Sequence, residues 1–382
     1  LEFGISRMRA AHTNHSDNAL DEWLIGQRES LINTRSNMRT YKAVEVTEPG
    51  KLQLVERQIR EPGRGQVRLR VEACGVCHSD SATVEAQFPG LTLPRVPGHE
   101  VVGRIEEVGP EVSNWKIGQR VGVGFFGGQD GECEACQRGD FVNCAHPVVT
   151  GITADGGYAE VMIAEAHALA LIPDELTSTE AAPLLCAGIT TFNALRNAGL
   201  RAGDLVAVQG VGGLGHLGIQ FARRMGFKTV ALNRGKEKEK LAKDLGAHIY
   251  IDSSAEDVAA VLQRMGGADA ILAAAPSGNA IASLMGGLAP HGKLIVVAVP
   301  PDAMPINAFP IVFGERSIVG SLTGKAIDNR DTLDFSVLQG VRPMIETAPL
   351  EQAADAYRKM MAGKARFRMV LTMDGTPSAR SL

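Results

Sequence analysis

From Tyr41 to about residue 172, apolar and polar residues alternate in short runs. YKAVEV, QVRLRVEAC, VVGRIEEVG and RVGVGFF change polarity at nearly every second position, and glycine or proline separates them. A period of two puts alternate side chains on one face, so these runs predict strands of a compact, largely antiparallel unit. Only pieces near Ser79–Glu85 have helical character there. From about Ser178 the pattern changes. TEAAPLLCAGITTFNALRNAG reads as helical, with Thr179 as candidate cap. Apolar runs (DLVAVQG, KTVALN, IYIDSS, ADAILAAA, GKLIVVAV) then alternate with helical ones (GHLGIQFARRMG, KEKEKLAKDLG, DVAAVLQRMG, GNAIASLMGGLAP). This βαβ series predicts a parallel sheet covered on both faces by helices, with RSIVGSL (Arg316–Leu322) as candidate last strand. The tail, LEQAADAYRKMMAG then RFRMVLTM, predicts a helix and a strand that return to the first unit.

The chain of 382 residues is too long for one ordinary core, and two domains are expected. With 45% apolar residues and a net charge of -4, it reads as globular, with neither nucleic acid nor membrane as partner. The apolar run Leu288–Ile311 is broken by His291, Lys293, Asp302 and prolines, which excludes a spanning helix there. Residues 1–37 are polar, without strand alternation, and precede Met38 in MRTYKAVEV, which looks like a protein start. They are read as an expression remnant or upstream extension.

GVGGLG follows the candidate strand Leu205–Gln209 and opens a helical run, giving Gly210, Gly212 and Gly215 the spacing G-x-G-x-x-G. That context is the one in which the first glycine turns the chain, the second admits a pyrophosphate and the third lets helix and strand touch. With Gly213 and Leu214 these residues are candidate cofactor contacts, the free amides of the helix start supplying the anion site. The next strand ends near Leu232 in Asn233-Arg234-Gly235, with no acid to take a ribose 2′-hydroxyl. Arg234 can meet a 2′-phosphate, which favours NADP, while Asn233 can bond a ribose hydroxyl and keeps NAD open. Lys236 and Lys238 add positive potential or are solvated helix residues.

The six cysteines cluster beside histidine and aspartate, which reads as metal ligation in a reducing, cytoplasmic compartment rather than as disulfides. Cys77 and His78 lie in CGVCHSD, His99 and Glu100 in GHE, and Cys186 in AAPLLC. Thiolates with an imidazole suit zinc, and three protein ligands leave a fourth position for chemistry.

Over about Met38–Met373 the chain resembles the zinc-dependent medium-chain alcohol dehydrogenases of microbial type, through CGVCHSD, PGHE, GDFVNC, APLLCAGITTF and GVGGLG. The resemblance implies an α/β fold of two domains: a GroES-like, mainly β catalytic domain over residues 38–188, a Rossmann doubly wound parallel sheet over 189–325, and a return segment over 326–382. It implies Cys77, His99 and Cys186 as ligands of a catalytic zinc, and reversible hydride transfer between an alcohol and NAD(P). Ser79 would take up the alcohol proton, His78 would lie near the cofactor phosphates, and Asp80 would orient His99. Glu100 is either a transient zinc ligand or a neighbouring charge. Ala82 stands where many relatives carry a histidine that ends the proton relay, so the relay would pass from Ser79 and a cofactor hydroxyl to water. Phe88, Leu93, Phe125 and Phe126 are candidates for an apolar substrate wall or for core.

QDGECEACQRGDFVNC resembles the family's structural-zinc lobe, normally four cysteines. Here Asp130 takes the first place before Cys133, Cys136 and Cys144. Aspartate can ligate zinc through oxygen, so one carboxylate and three thiolates make a chemically reasonable site that would fold the loop. The substrate expected is a small alcohol or aldehyde. A polyol, amino alcohol or formaldehyde adduct is the alternative. The resemblance further implies a homo-oligomer, with a tetramer preferred to a dimer and strands near Ile318 as candidate contacts.

Overall fold

A computed structural model describes residues 39–373; the reading of residues 1–37 falls outside the described residues. The first unit is built on a long central strand. β1 (Thr40–Glu48) and β2 (Lys51–Gln58) form a hairpin, and β3 (Gln66–Val76) pairs antiparallel with β4 (Val101–Val108). β5 (Arg120–Val123) follows β4 in the sheet, β6 (Phe126–Gly128) and β7 (Val148–Val149) make a small ribbon, and β8 (Val161–Glu165) pairs with β3. β9 (Ala170–Leu171) closes the edge beside β5. Alternation is visible in β3, where Val67, Leu69 and Val71 are buried and join Val44, Val46, Val101 and Ile105 in one apolar core.

The second unit is a six-stranded parallel sheet. Its strands are β10 (Leu205–Gln209), β11 (Lys228–Asn233), β12 (Ile249–Asp252), β13 (Ala268–Ala273), β14 (Leu288–Val296) and β15 (Ser317–Gly320), in the spatial order 12-11-10-13-14-15. The order reverses between β10 and β13, and such a switch point is where parallel sheets open a ligand crevice. One face of the sheet packs Val206, Val208 and Leu272 against Leu217, Phe221 and Phe192. The same core continues through Leu184 and Leu185 to Phe367 and Val370. Leu205, Ile271 and Leu294 face a separate core on the other side.

The tail runs back to the first sheet. β16 (Ile345–Pro349) and the helix Ala353–Met361 lead to β17 (Arg368–Thr372), which pairs antiparallel with β3. The helical run after residue 176 begins at Ser178, and its cap is Thr177 rather than Thr179. Thr177 Oγ1 accepts from Glu180 N while Glu180 reaches back to Thr177 N, a capping box. Thr179 is instead fully buried.

Candidate active site

Strand register assembles the cluster. β3 ends at Val76 and β4 starts at Val101, and the two are antiparallel neighbours with Cys74 opposite Val101. Cys77, just past the one, therefore meets His99 and Glu100, just before the other. β17 pairs on the other side of β3 with Met369 opposite Val76, which brings Arg368 alongside. Cys186 arrives on a π turn, Leu184–Gly188, between the helices Ser178–Pro183 and Ile189–Arg196. Such widened turns recur at functional sites.

Ligand atoms of Cys77, His99, Glu100 and Cys186 all lie within 4.8 Å of one another. The Cys77 and Cys186 sulfurs are 3.8 Å apart. His99 is buried, and its Nδ1 sits 2.9 Å from Asp80 Oδ1. The other ring nitrogen, Nε2, is buried without a hydrogen-bond partner among the described residues. A buried imidazole nitrogen beside two thiols, with the opposite nitrogen held by a carboxylate, is the donor set that zinc takes. Asp80 does more than orient His99: its Oδ2 accepts from Cys77 N at 2.9 Å and from Tyr158 Oη at 2.8 Å. The Cys186 thiol holds the Cys77 thiol well below its ordinary pKa, against burial, which pushes it up, and with the His99 ring adding to the lowering.

Glu100 is fully buried and ion-paired with buried Arg368 through Oε1, while Oε2 has no hydrogen-bond partner among the described residues. Burial raises its pKa to about 8 against the opposing pull of Arg368. Gly75 makes room for it, since a Cβ there would lie 1.8 Å from Glu100 Oε2. His78 and Ser79 are exposed at the start of a short helical stretch. Phe125 packs its ring edge-on to His99 at 5.3 Å, and Phe126 packs edge-on to Phe125 at 5.4 Å. Leu93 packs against the core of the first unit, and Phe88 is half-buried.

GVGGLG leaves β10 at the switch point and starts the helix Gly215–Arg224. Gly210 has φ of 86°, a left-handed conformation that favours glycine. A Cβ on Gly215 would lie 1.7 Å from Gly210 O, whereas one on Gly212 would meet nothing within 4 Å. At Gly213 the nearest atom would be Arg368 Nη1, at 3.0 Å. Arg368 thus spans from the thiol cluster to the glycine turn. Asn233 Oδ1 accepts from Val211 N at 3.1 Å and its Nδ2 donates to Arg234 O. Lys238 is not a solvated helix residue: Nζ donates to Val211 O at 2.7 Å and lies over the Phe367 ring. Arg234 is exposed and makes no side-chain hydrogen bond or ion pair among the described residues.

The second loop is also assembled. Ligand atoms of Asp130, Cys133, Cys136 and Cys144 lie within 4.8 Å of one another. Backbone amides of Cys133 and Glu132 donate to Asp130 Oδ1 at 3.0 and 2.9 Å and hold its carboxyl well below the usual range. Burial pushes the Cys136 thiol up to about 12. A carboxylate oxygen among three thiols is a donor set that zinc takes.

Tyr158 and Arg368 had no visible motif, and Lys238 was read only as added positive potential or a solvated helix residue. RFRMVLTM, read as a strand, carried a trace of Arg368, the second of two arginines that flank Phe367 ahead of an apolar run.

Two family models match the chain. One, the alcohol dehydrogenase GroES-like domain, covers residues 63–174, and the other, zinc-binding dehydrogenase, covers 213–337. The alcohol dehydrogenase notN of Aspergillus sp. (strain MF297-2) is 42% identical over 339 residues, 88% of this chain and 99% of the relative. CAD of Helicobacter pylori, complexed with NADP(H), superposes with a TM-score of 0.77 at 27% identity, over 89% of this chain and 100% of that one. An NAD-dependent alcohol dehydrogenase superposes with a TM-score of 0.80 at 25% identity, over 87% and 99%. With its thiol–imidazole cluster and its glycine turn, the chain belongs to the zinc-type medium-chain alcohol dehydrogenase family.

Proposed function

We propose that Cys77, His99 and Cys186 hold a catalytic zinc and that the protein oxidises small primary or secondary alcohols, and reduces the matching aldehydes or ketones, with NADP as the favoured cofactor. One observation carries the zinc reading: the buried His99 Nε2, without a hydrogen-bond partner among the described residues, beside two thiols 3.8 Å apart. When bound, zinc acidifies the alcohol and the nicotinamide exchanges the hydride. The chain's own residues do the rest. Asp80 fixes the imidazole orientation, and two thiolates with one neutral imidazole balance the charge of the dication. Arg368 holds Glu100 Oε1, which leaves Oε2 as the ligand atom available for transient coordination. Exposed Ser79 takes the alcohol proton outward, and Ala82, half-buried, offers no further group to receive it. Phe125, against His99, makes the apolar wall that suits uncharged substrates over polyols.

The inward engagement of Asn233 supports NADP, because its amide is spent on Val211 and Arg234 while the Arg234 guanidinium, at the end of β11, has no side-chain partner among the described residues. The pairing of β16 and β17 onto the first sheet supports counting 326–382 with residues 38–188 and treating 189–325 as the nucleotide unit. The helix Ala326–Gln339 packs on Ile189–Arg196 at the seam. Exposed edge strand β15, with Ile318 and Val319 at 38% and 40% exposure, and the stacked, exposed Phe309 and Phe313 support a homo-oligomer, a tetramer or a dimer. No described helix is long and apolar enough to cross a membrane.

The test is kcat/KM for benzyl alcohol and a short aliphatic alcohol with NADP and with NAD, on protein whose zinc content is measured. Turnover with NADP preference that Arg234→Ala abolishes supports the reading. Zinc-loaded protein inert toward both alcohols with both cofactors sinks it.

A further inference from the structure

We infer that His216 is a positioning residue for the pyrophosphate end of the cofactor, fastening the Gly212–Gly213 peptide and the Arg368 segment to one another across the two domains. This rests on the dinucleotide reading of the glycine turn. The His216 ring is fully buried, yet both nitrogens are engaged. Nδ1 lies 2.8 Å from Gly212 O, and Met344 N lies 3.1 Å from Nε2. An amide can only donate and a carbonyl can only accept, so the ring is the neutral tautomer with its proton on Nδ1. Burial, the larger cause, keeps the ring pKa down at about 4 and preserves that state near neutrality.

Each bond holds one jaw of the same site. Gly212 O also accepts from His216 N at 3.0 Å, so this carbonyl is held twice and points into the helix. A trans peptide is planar, and the following N–H points the opposite way. Locking Gly212 O therefore aims Gly213 N–H off the helix start, where an anionic group is received. On the other side, Met344 gives its N–H to His216, and its carbonyl accepts from Phe367 N at 2.9 Å and Arg368 N at 3.0 Å. Arg368 Nη1 lies 3.0 Å from the place of a Gly213 Cβ. The circuit is closed: Gly212 to His216 to Met344 to Arg368 and back to Gly213. A residue serving only to fill space needs neither hydrogen bond, and a leucine would do.

The experiment uses full-length, zinc-loaded protein and its variants His216→Phe, His216→Asn and His216→Gln. Dissociation constants for NADPH and NADH are read by fluorescence titration, and adenosine, which has no phosphate, is titrated as competitor. With His216→Phe the dinucleotide constants should rise about tenfold or more, the scale of a lost buried hydrogen bond. Adenosine affinity and zinc content should stay within about twofold. Gln can donate and accept through one amide, and should recover most of the loss. A folded Phe variant with wild-type dinucleotide affinity, or with equal loss for adenosine, overturns the proposal. If the Phe variant does not fold, Asn decides. It keeps a donor for Gly212 O but cannot reach Met344 N, and unchanged affinity in it overturns the cross-domain link. Wild-type protein that binds neither dinucleotide would overturn the underlying reading of the turn as well, an outcome separate from normal wild-type binding with unaffected variants.

Discussion

Asp80→Ala isolates the support of the metal cluster from the ligands themselves. The carboxylate is 2% exposed and serves three donors: His99 Nδ1 at 2.9 Å, Cys77 N at 2.9 Å and Tyr158 Oη at 2.8 Å. Alanine leaves all three buried and unpaired. Each orphan costs about 1–3 kcal/mol, and partial relaxation brings the expected loss of stability to roughly 3–5 kcal/mol. The metal should suffer separately, because the imidazole loses the group that fixes its tautomer and rotation. Loss of such an outer partner lowers metal affinity about 10–100-fold. Asp80→Asn keeps one oxygen for His99 but turns an NH2 toward the Cys77 amide, and should fall between wild type and Ala. Competition with a chromophoric zinc chelator gives the affinity, and urea unfolding of the loaded protein gives the stability. Wild-type zinc affinity in a folded Asp80→Ala protein would refute the claim that Asp80 sets the His99 nitrogen facing the cluster.

Gly212→Ala and Gly215→Ala should separate cofactor approach from packing. At Gly215 the new Cβ meets backbone at 1.7 Å, and a loss of about 3 kcal/mol or more is expected by thermal unfolding. At Gly212 nothing lies within 4 Å, so stability should hold while dinucleotide affinity falls; equal effects in both variants would contradict the assignment. Burial depresses the His216 pKa to about 4, with Arg368 adding to the effect, so its stabilising contribution is complete above the usual 6.5 and lost as pH falls from there to about 4. That window should remove about 3 kcal/mol in wild type and much less in His216→Gln, and a shared acid slope in urea unfolding would count against it. Stripping the second site with a strong chelator should lower the melting temperature, and Asp130→Cys should retain metal longer than wild type. A melting temperature indifferent to chelation would mean that the loop folds without metal.

The alternation from Tyr41 onward announced the antiparallel sheet, and the switch to apolar runs after Ser178 announced the parallel one, because each period has one geometric meaning. Cys77, His99, Glu100 and Cys186 were legible because their residue types have few structural uses in such groupings. Thr177 was missed as the cap because two threonines lie two residues apart, and only the fully buried packing of Thr179 tells them apart. His216 and Tyr158 were not legible at all, and Arg368 only as a cation in a predicted strand. Their meaning depends on long-range register: Arg368 meets Glu100 across 268 positions, and His216 meets Met344 across 128. A lone cation in a strand, or a histidine after a glycine turn, carries no local pattern that predicts such partners.

The closeness of the two chemistries also has a local cause. Hydride transfer requires the thiol cluster and the glycine turn to lie at a fixed separation, yet they belong to different sheets. The dipeptide Phe367–Arg368 measures that separation. Its phenylalanine lies 5.2 Å from the His216 ring and under Lys238, both of which bond the glycine turn. Its arginine enters β17, where pairing with β3 fixes it against Glu100. A slip of β17 by one residue would turn every side chain of that strand to the opposite face, since the period is two. Arg368 would leave both the carboxylate and the turn at once. The register of one short strand therefore ties the thiol–imidazole cluster to the glycine turn, and a variant that disturbs it should lose metal and dinucleotide binding together rather than either alone.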